Sequence, residues 1–131
     1  MILLDTHAWV WLVADPARLS RGAASAIRRA RASQGIGIAA ISLWELAMMF
    51  SRGRLEAMGT PEASVQLVID RSGVIVKPLT PEVAALATQF PPDFPLDPAD
   101  RLIAATARAE GLTLITRDER IRKSPLVRTI W

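Results

Sequence analysis

The sequence predicts an α/β fold, with a mainly parallel sheet of four to five strands covered by helices on both faces. Short apolar runs alternate along the chain with longer segments of helical character. Each run is continuously apolar rather than alternately polar and apolar, as in strands buried on both faces of a parallel sheet. The segments between carry helix punctuation, with Ser, Thr or Asp at the start and Gly at the end.

Taken in order, Ile2-Leu3-Leu4 reads as a buried strand that ends at Asp5, and Ala8 to Ala14 as the helix after it. Ser20 caps a helix to about Ala32, Gly35 stops it, and Ile36 to Ala40 forms the second strand. Ser42 to Arg52 is the next helix, and Thr60-Pro61-Glu62 opens another, its cap followed by Pro at the first helical position. Val74 to Lys77 is the third strand, closed by Pro78, and Thr80-Pro81-Glu82 opens a helix that ends before Pro91-Pro92. Phe90 to Pro98 is the one linker-like stretch. Asp97-Pro98 opens an Ala-rich helix through Glu110, Gly111 ends it, Leu112 to Thr116 is the fourth strand and Val127 to Ile130 an edge strand.

With 131 residues the chain is read as a single domain, 1–131. No run approaches the ~20 apolar residues of a membrane span, and the start lacks the pattern of an export signal, so a cytoplasmic protein is expected. The absence of Cys excludes disulfides, thiolate zinc sites and cysteine nucleophiles, and one His excludes a centre built on two. A metal here must be held mainly by oxygen. The net charge of +3 permits approach to a polyanion, and the cluster Arg21, Arg28, Arg29 and Arg31 reads as a solvated helix face.

A parallel sheet places its site at the carboxyl ends of its strands. Asp5 follows the first strand and Asp118 the fourth, while Glu45 and Asp100 fall in the first turns of the helices that follow the second strand and precede the fourth. If those two helices start on that rim of the sheet or fold back over it, four carboxylates converge. Two unit charges ~4 Å apart repel by about 4 kcal/mol at an effective dielectric of 20, a cost that a divalent cation removes. Hard oxygen ligands without His or Cys favour Mg²⁺ or Mn²⁺, and the chemistry that follows is phosphodiester hydrolysis by a metal-activated water.

Each acid also has a plainer reading. Ser42-Leu-Trp-Glu45 has the spacing of a capping box, Asp97-Pro-Ala-Asp100 the same, and Asp5 and Asp118 can each cap a helix. Asp97, before a Pro suited to the first helical position, is expected to cap, leaving Asp100 at the third position free to face a metal. Glu45 sits among Leu43, Trp44, Leu46, Ala47, Met48, Met49 and Phe50, a helix apolar nearly all round. Its inner face should meet the sheet and Trp44, Met48 or Met49 a partner. Gly35-Ile-Gly37-Ile-Ala-Ala40 matches a dinucleotide fingerprint on paper but is itself the strand, which excludes that use. His7, within reach of the rim, reads as polar lining, and it stands where an aspartyl phosphatase would need a second Asp.

The strings Leu3-Leu-Asp-Thr-His7, Ser42-Leu-Trp-Glu-Leu46, Asp97-Pro-Ala-Asp-Arg-Leu-Ile-Ala-Ala-Thr106 and Leu114-Ile-Thr-Arg-Asp118 resemble, in order and spacing, the successive acidic motifs of PIN-domain ribonucleases, and most closely VapC-type toxins. The resemblance runs from residue 2 to Ile130-Trp131. It implies the PIN-like three-layer sandwich, with Asp5, Glu45, Asp100 and Asp118 as the acidic set binding Mg²⁺ or Mn²⁺ and Thr116 as a polar neighbour. Asp97 is the ambiguous position, since close relatives often carry an acid there that the wider family lacks. The resemblance further implies endonucleolytic RNA cleavage, a homodimer, and inhibition by a small antitoxin whose C-terminal segment covers the site. Two alternatives stand beside the toxin endoribonuclease: a PIN nuclease of RNA processing, and a non-catalytic RNA-binding module. The acidic quartet disfavours the last, because a binding module has no use for four mutually repelling carboxylates.

Overall fold

The computed structural model describes all 131 residues. Five strands, β1 (Ile2–Leu4), β2 (Ile36–Ala39), β3 (Ile75–Lys77), β4 (Thr113–Ile115) and β5 (Thr129–Ile130), form one sheet in the order β3-β2-β1-β4-β5. Every neighbouring pair is parallel, so the sheet is wholly rather than mainly parallel. The chain leaves β1 for β2 and β3 on one side, then crosses to β4 and β5 on the other, which makes the carboxyl end of β1 the topological switch point.

Seven helices surround the sheet: α1 (Thr6–Ala14), α2 (Arg21–Arg31), α3 (Ile41–Ser51), α4 (Pro61–Ser72), α5 (Pro81–Ala87), α6 (Pro98–Glu110) and α7 (Glu119–Arg122). Consecutive strand residues point to opposite faces, and here both faces are apolar because both are covered. Leu4 and Ile115 pack with Trp9, Ile27 and Leu46 from α1, α2 and α3. Leu3 and Leu114 pack on the other face with Val83, Ile103 and Ile121 from α5, α6 and α7. Trp9 is fully buried, and its Nε1 donates to Ser72 Oγ at 2.9 Å, so its one polar atom is satisfied.

Caps fall where the sequence places them at Ser20, Thr60, Thr80 and Asp97, each accepting a bond from the first turn of its helix. Gly111 ends α6 at φ 65°, a left-handed conformation suited to glycine. Gly37 is a matter of space rather than conformation. A Cβ there would lie 3.1 Å from Ile75 O, so the bare backbone lets β3 pair closely with β2.

The differences lie at element ends. Strands expected over 36–40, 74–77, 112–116 and 127–130 are each shorter by one or two residues, although Ala40 N still donates to Lys77 O and Thr116 N to Ile130 O beyond them. The first helix begins at Thr6 rather than Ala8 because Asp5 caps it. A single 3₁₀ turn at Pro16–Arg18 has no apolar period to predict it, while the short α7 follows the cap that Asp118 offers. The linker-like stretch 90–98 is no linker: Phe90 and Phe94 are buried, with rings stacked at 4.1 Å.

Candidate active site

The acids meet at the carboxyl edge of the sheet, beside the switch point. Asp5 leaves β1 with its backbone N–H bonded to Ile115 O at 3.0 Å, which pins the end of β1 to β4. Its Oδ1 accepts from Ala8 N at 2.8 Å as the cap of α1. Thr116, fully buried just beyond β4, accepts from Asp118 N at 3.1 Å and stands beside the Asp5 carboxylate, whose proton affinity it lowers. One hydroxyl thus ties together the acids that follow the two central strands. Asp118 caps α7, its Oδ1 accepting from Arg120 N and Ile121 N, and a loose ion pair with Arg120 at 3.9 Å adds to this.

Glu45 departs from its plainer reading. The helix starts at Ile41, one residue earlier than expected, with Ala40 at its cap and no side-chain capping bond. Ser42 is therefore inside the helix, and Glu45 lies in the second turn rather than the first. No capping box forms. Instead the buried Thr6 hydroxyl donates to Glu45 Oε1 and lies 2.8 Å from Ser42 Oγ, so α1 and α3 are bridged by hydroxyls that orient the acid. Sequence reasoning missed Thr6. Its signal was a polar residue directly after Asp5 at the head of an apolar helix.

Asp97 and Asp100 take the positions expected of them. Asp97 Oδ1 accepts from Ala99 N at 3.1 Å as the cap of α6, with Pro98 at the first helical position. Asp100, third in the helix, makes no side-chain hydrogen bond. Arg101, next to it, holds the preceding loop by donating to the carbonyls of Pro95 at 2.8 Å, Phe90 at 3.2 Å, and Pro91 and Phe94 at 3.4 Å. That fork fixes where α6 begins and so where both acids point.

Asp5, Glu45, Asp97, Asp100 and Asp118 line one cleft of about 350 Å³, with Thr6, His7, Trp11 and Arg117 on its flank. Burial raises the Asp5 carboxyl above its ordinary value, against the opposing pull of Thr116, Ala8 N and His7. Glu45 is raised for the same first reason, opposed by Thr6 and reinforced by Asp97 and Asp5. Asp100 is pushed up to about 7, by burial first and then by the charges of Asp97, Asp118, Glu45 and Asp5. The acids therefore form one electrostatic unit whose charge is uncompensated. No three of them are drawn tightly enough to enclose an ion, and Asp5, Glu45, Asp97 and Asp118 each bond to a local partner. The donor set is nonetheless that of a hard divalent cation: carboxylate oxygens, half-buried, with charges that repel unless shared.

No helix is long and apolar enough to cross a membrane. The profile of the PIN domain matches residues 2–125. Ribonuclease VapC22 of Mycobacterium tuberculosis is 39% identical across 99% of this chain and 98% of its own length. Among solved structures, VapBC2 from Rickettsia felis bound to a DNA fragment from its promoter aligns with a TM-score of 0.74 at 17% identity, covering 98% of this chain and 97% of that one. DNA-bound VapBC from Salmonella typhimurium aligns at 0.71 and 20% identity over 98% and 97%. The structures share the fold, while the profile and the sequence identity, extending over nearly the whole chain and its four acidic motifs, establish descent: the chain belongs to the PIN-domain family, and within it to the VapC type.

Proposed function

We propose that the protein is a metal-dependent endoribonuclease, the toxin of a toxin-antitoxin pair. The observation that carries this reading is the convergence of Asp5, Glu45, Asp100 and Asp118 in a single cleft, where burial and then the neighbouring charges raise the proton affinity of Asp5, Glu45 and Asp100. The 39% identity to a protein named a ribonuclease supports RNA as the substrate.

The four acids would hold Mg²⁺ or Mn²⁺, and that ion would supply charge neutralisation at the scissile phosphate and activation of the attacking water. The chain's own residues prepare the place. Thr116 fixes Asp5 relative to Asp118, Thr6 orients Glu45, and the Arg101 fork sets α6 so that Asp100 faces the cleft. Asp97 is an auxiliary that serves first as the cap of α6 and adds negative charge beside Asp100.

The partners proposed are a second copy of this chain and a small antitoxin protein. Structural neighbours are themselves toxin-antitoxin complexes. An apolar groove between α1, α3 and α4 and the 58% exposed Trp44 provide surface that a protein partner would cover.

The purified protein should cleave RNA with Mg²⁺ or Mn²⁺, leaving 5′-phosphate and 3′-hydroxyl ends because water rather than the ribose hydroxyl attacks. Cyclic phosphate products, or full activity in EDTA, would refute the mechanism.

A further inference from the structure

Five carboxylates line the cleft against a single arginine, Arg117, so an RNA strand entering it needs positive charge close by. The flank of the cleft supplies it in an unusual way. Trp11, in the second turn of α1, the helix that Asp5 caps, is the post around which four side chains gather. The Arg18 guanidinium lies 4.6 Å from its ring and that of Arg117 lies 5.9 Å away. The rings of His7 and Trp131 are each 5.8 Å from it.

Neither arginine has a carboxylate partner. The ion pairs of the protein are Lys77 with Glu110 and Arg120 with Asp118, although Arg117 directly precedes Asp118 and lines the same acidic cleft. Neither guanidinium makes a hydrogen bond within the chain. Stacking on an indole holds a guanidinium by its face and leaves its edge donors free, the arrangement suited to bidentate contact with phosphate. Trp11 itself is only 9% exposed, which excludes it as a platform for a nucleobase and leaves it the role of support.

We propose that Arg117, Arg18 and His7, held on Trp11, form a subsite for the phosphates of the RNA strand next to the scissile bond. This rests on the ribonuclease reading and deepens it. Contacts of this kind position the strand without reading its sequence. Trp11 belongs to the helix that Asp5 caps, and Arg117 adjoins Asp118, so the subsite is coupled rigidly to the acids.

The test is the salt dependence of binding to a labelled oligouridylate, with Ca²⁺ in place of Mg²⁺. Each phosphate contact on a single strand contributes about 0.7 to the slope of log affinity against log salt. Arg117→Ala should lower the slope by about 0.7, which is about 5-fold in affinity between 1 M and 0.1 M salt, and the Arg18→Ala/Arg117→Ala pair by about twice that slope. Arg117→Lys, which keeps the charge, should restore most of it. Arg28→Ala, on the exposed face of α2, is the control and should leave it unchanged. An unchanged slope in the double variant, an equal loss in Arg28→Ala, or no binding of RNA by the parent protein overturns the subsite. Hydrolysis of the same RNA in Mg²⁺ is read separately: its absence refutes the nuclease reading, while the slope still decides the subsite.

Discussion

Two hollows flank α3, and they are unfinished in opposite ways. On one side Glu45 joins the acid cleft, whose carboxylates lack a counter-charge. On the other, Leu46, Phe50, Val10, Leu55, Met58 and Leu67 line a groove of about 240 Å³ whose apolar surface lacks a cover. Residues 45 and 46 are neighbours in sequence, but each step along a helix turns about 100°, so they serve different hollows. The first hollow suits a cation and the second an apolar surface. A helix that is apolar nearly all round with one acid in it is what a wall between two such sites requires.

The largest effect should come from removing the charge with which the cleft is most burdened. Asp100→Asn keeps the shape but loses a ligand that a hard cation needs, so RNA cleavage should fall by about 100-fold or more, measured as kcat/KM. Metal-free, the same variant should unfold no more readily than the parent above pH 7, because a repelling charge is gone. Loss of stability instead would make Asp100 a structural residue.

On the groove side, Leu46 is fully buried beneath the apolar lining, and Leu46→Ala should cost about 2–5 kcal/mol in a denaturant titration. An effect within a few tenths of a kcal/mol would mean that the groove floor collapses to fill the space, and that the two hollows are not separated by a packed wall.

A pH titration of the metal-free protein sharpens the contrast. Asp5, Glu45 and Asp100 all have raised proton affinity in the folded state, so folding takes up protons between the ordinary carboxylate range and about 7, the value for Asp100. Stability from these groups is therefore greatest below about pH 4 and falls as pH rises towards 7. For Asp100, half-buried and screened by solvent, the loss amounts to about 1–3 kcal/mol. Mg²⁺ should restore it increasingly over the same window, and melting curves with and without metal that stay parallel across pH would break the argument.

The smallest effect separates neighbours within the cleft. Asp97→Ala removes a cap and should cost about 1 kcal/mol, whereas Asp97→Asn, which caps equally well, should cost a few tenths and retain much of the activity. If folded Asp97→Asn is as inactive as Asp100→Asn, Asp97 belongs with the four.

By itself the sequence determined the sheet and the cleft's acids. Continuous apolar runs at Leu3-Leu4 and Leu114-Ile115 can be buried only between two layers, and Asp5 and Asp118 stand at the ends of those runs whatever the rest of the chain does. Asp97 as cap and Asp100 as the free acid were equally legible, because Pro98 fixes the helix start locally. Only the tertiary structure decided how Glu45 is held. Its spacing from Ser42 fits a capping box, but α3 begins at Ile41 and so takes Ser42 into the helix, and the buried Thr6 hydroxyl from α1 donates to the acid instead. The Arg101 fork and the Trp11 cluster belong to the same class. Arg101 binds carbonyls from residues 90 to 95, and Trp11 gathers residues 7, 18, 117 and 131. Periodicity and capping can be read along the chain, whereas the Arg101 fork depends on how its loop turns back, and the contacts of Thr6 with Glu45 and of Trp11 with Arg117 and Trp131 join segments that the sheet brings together.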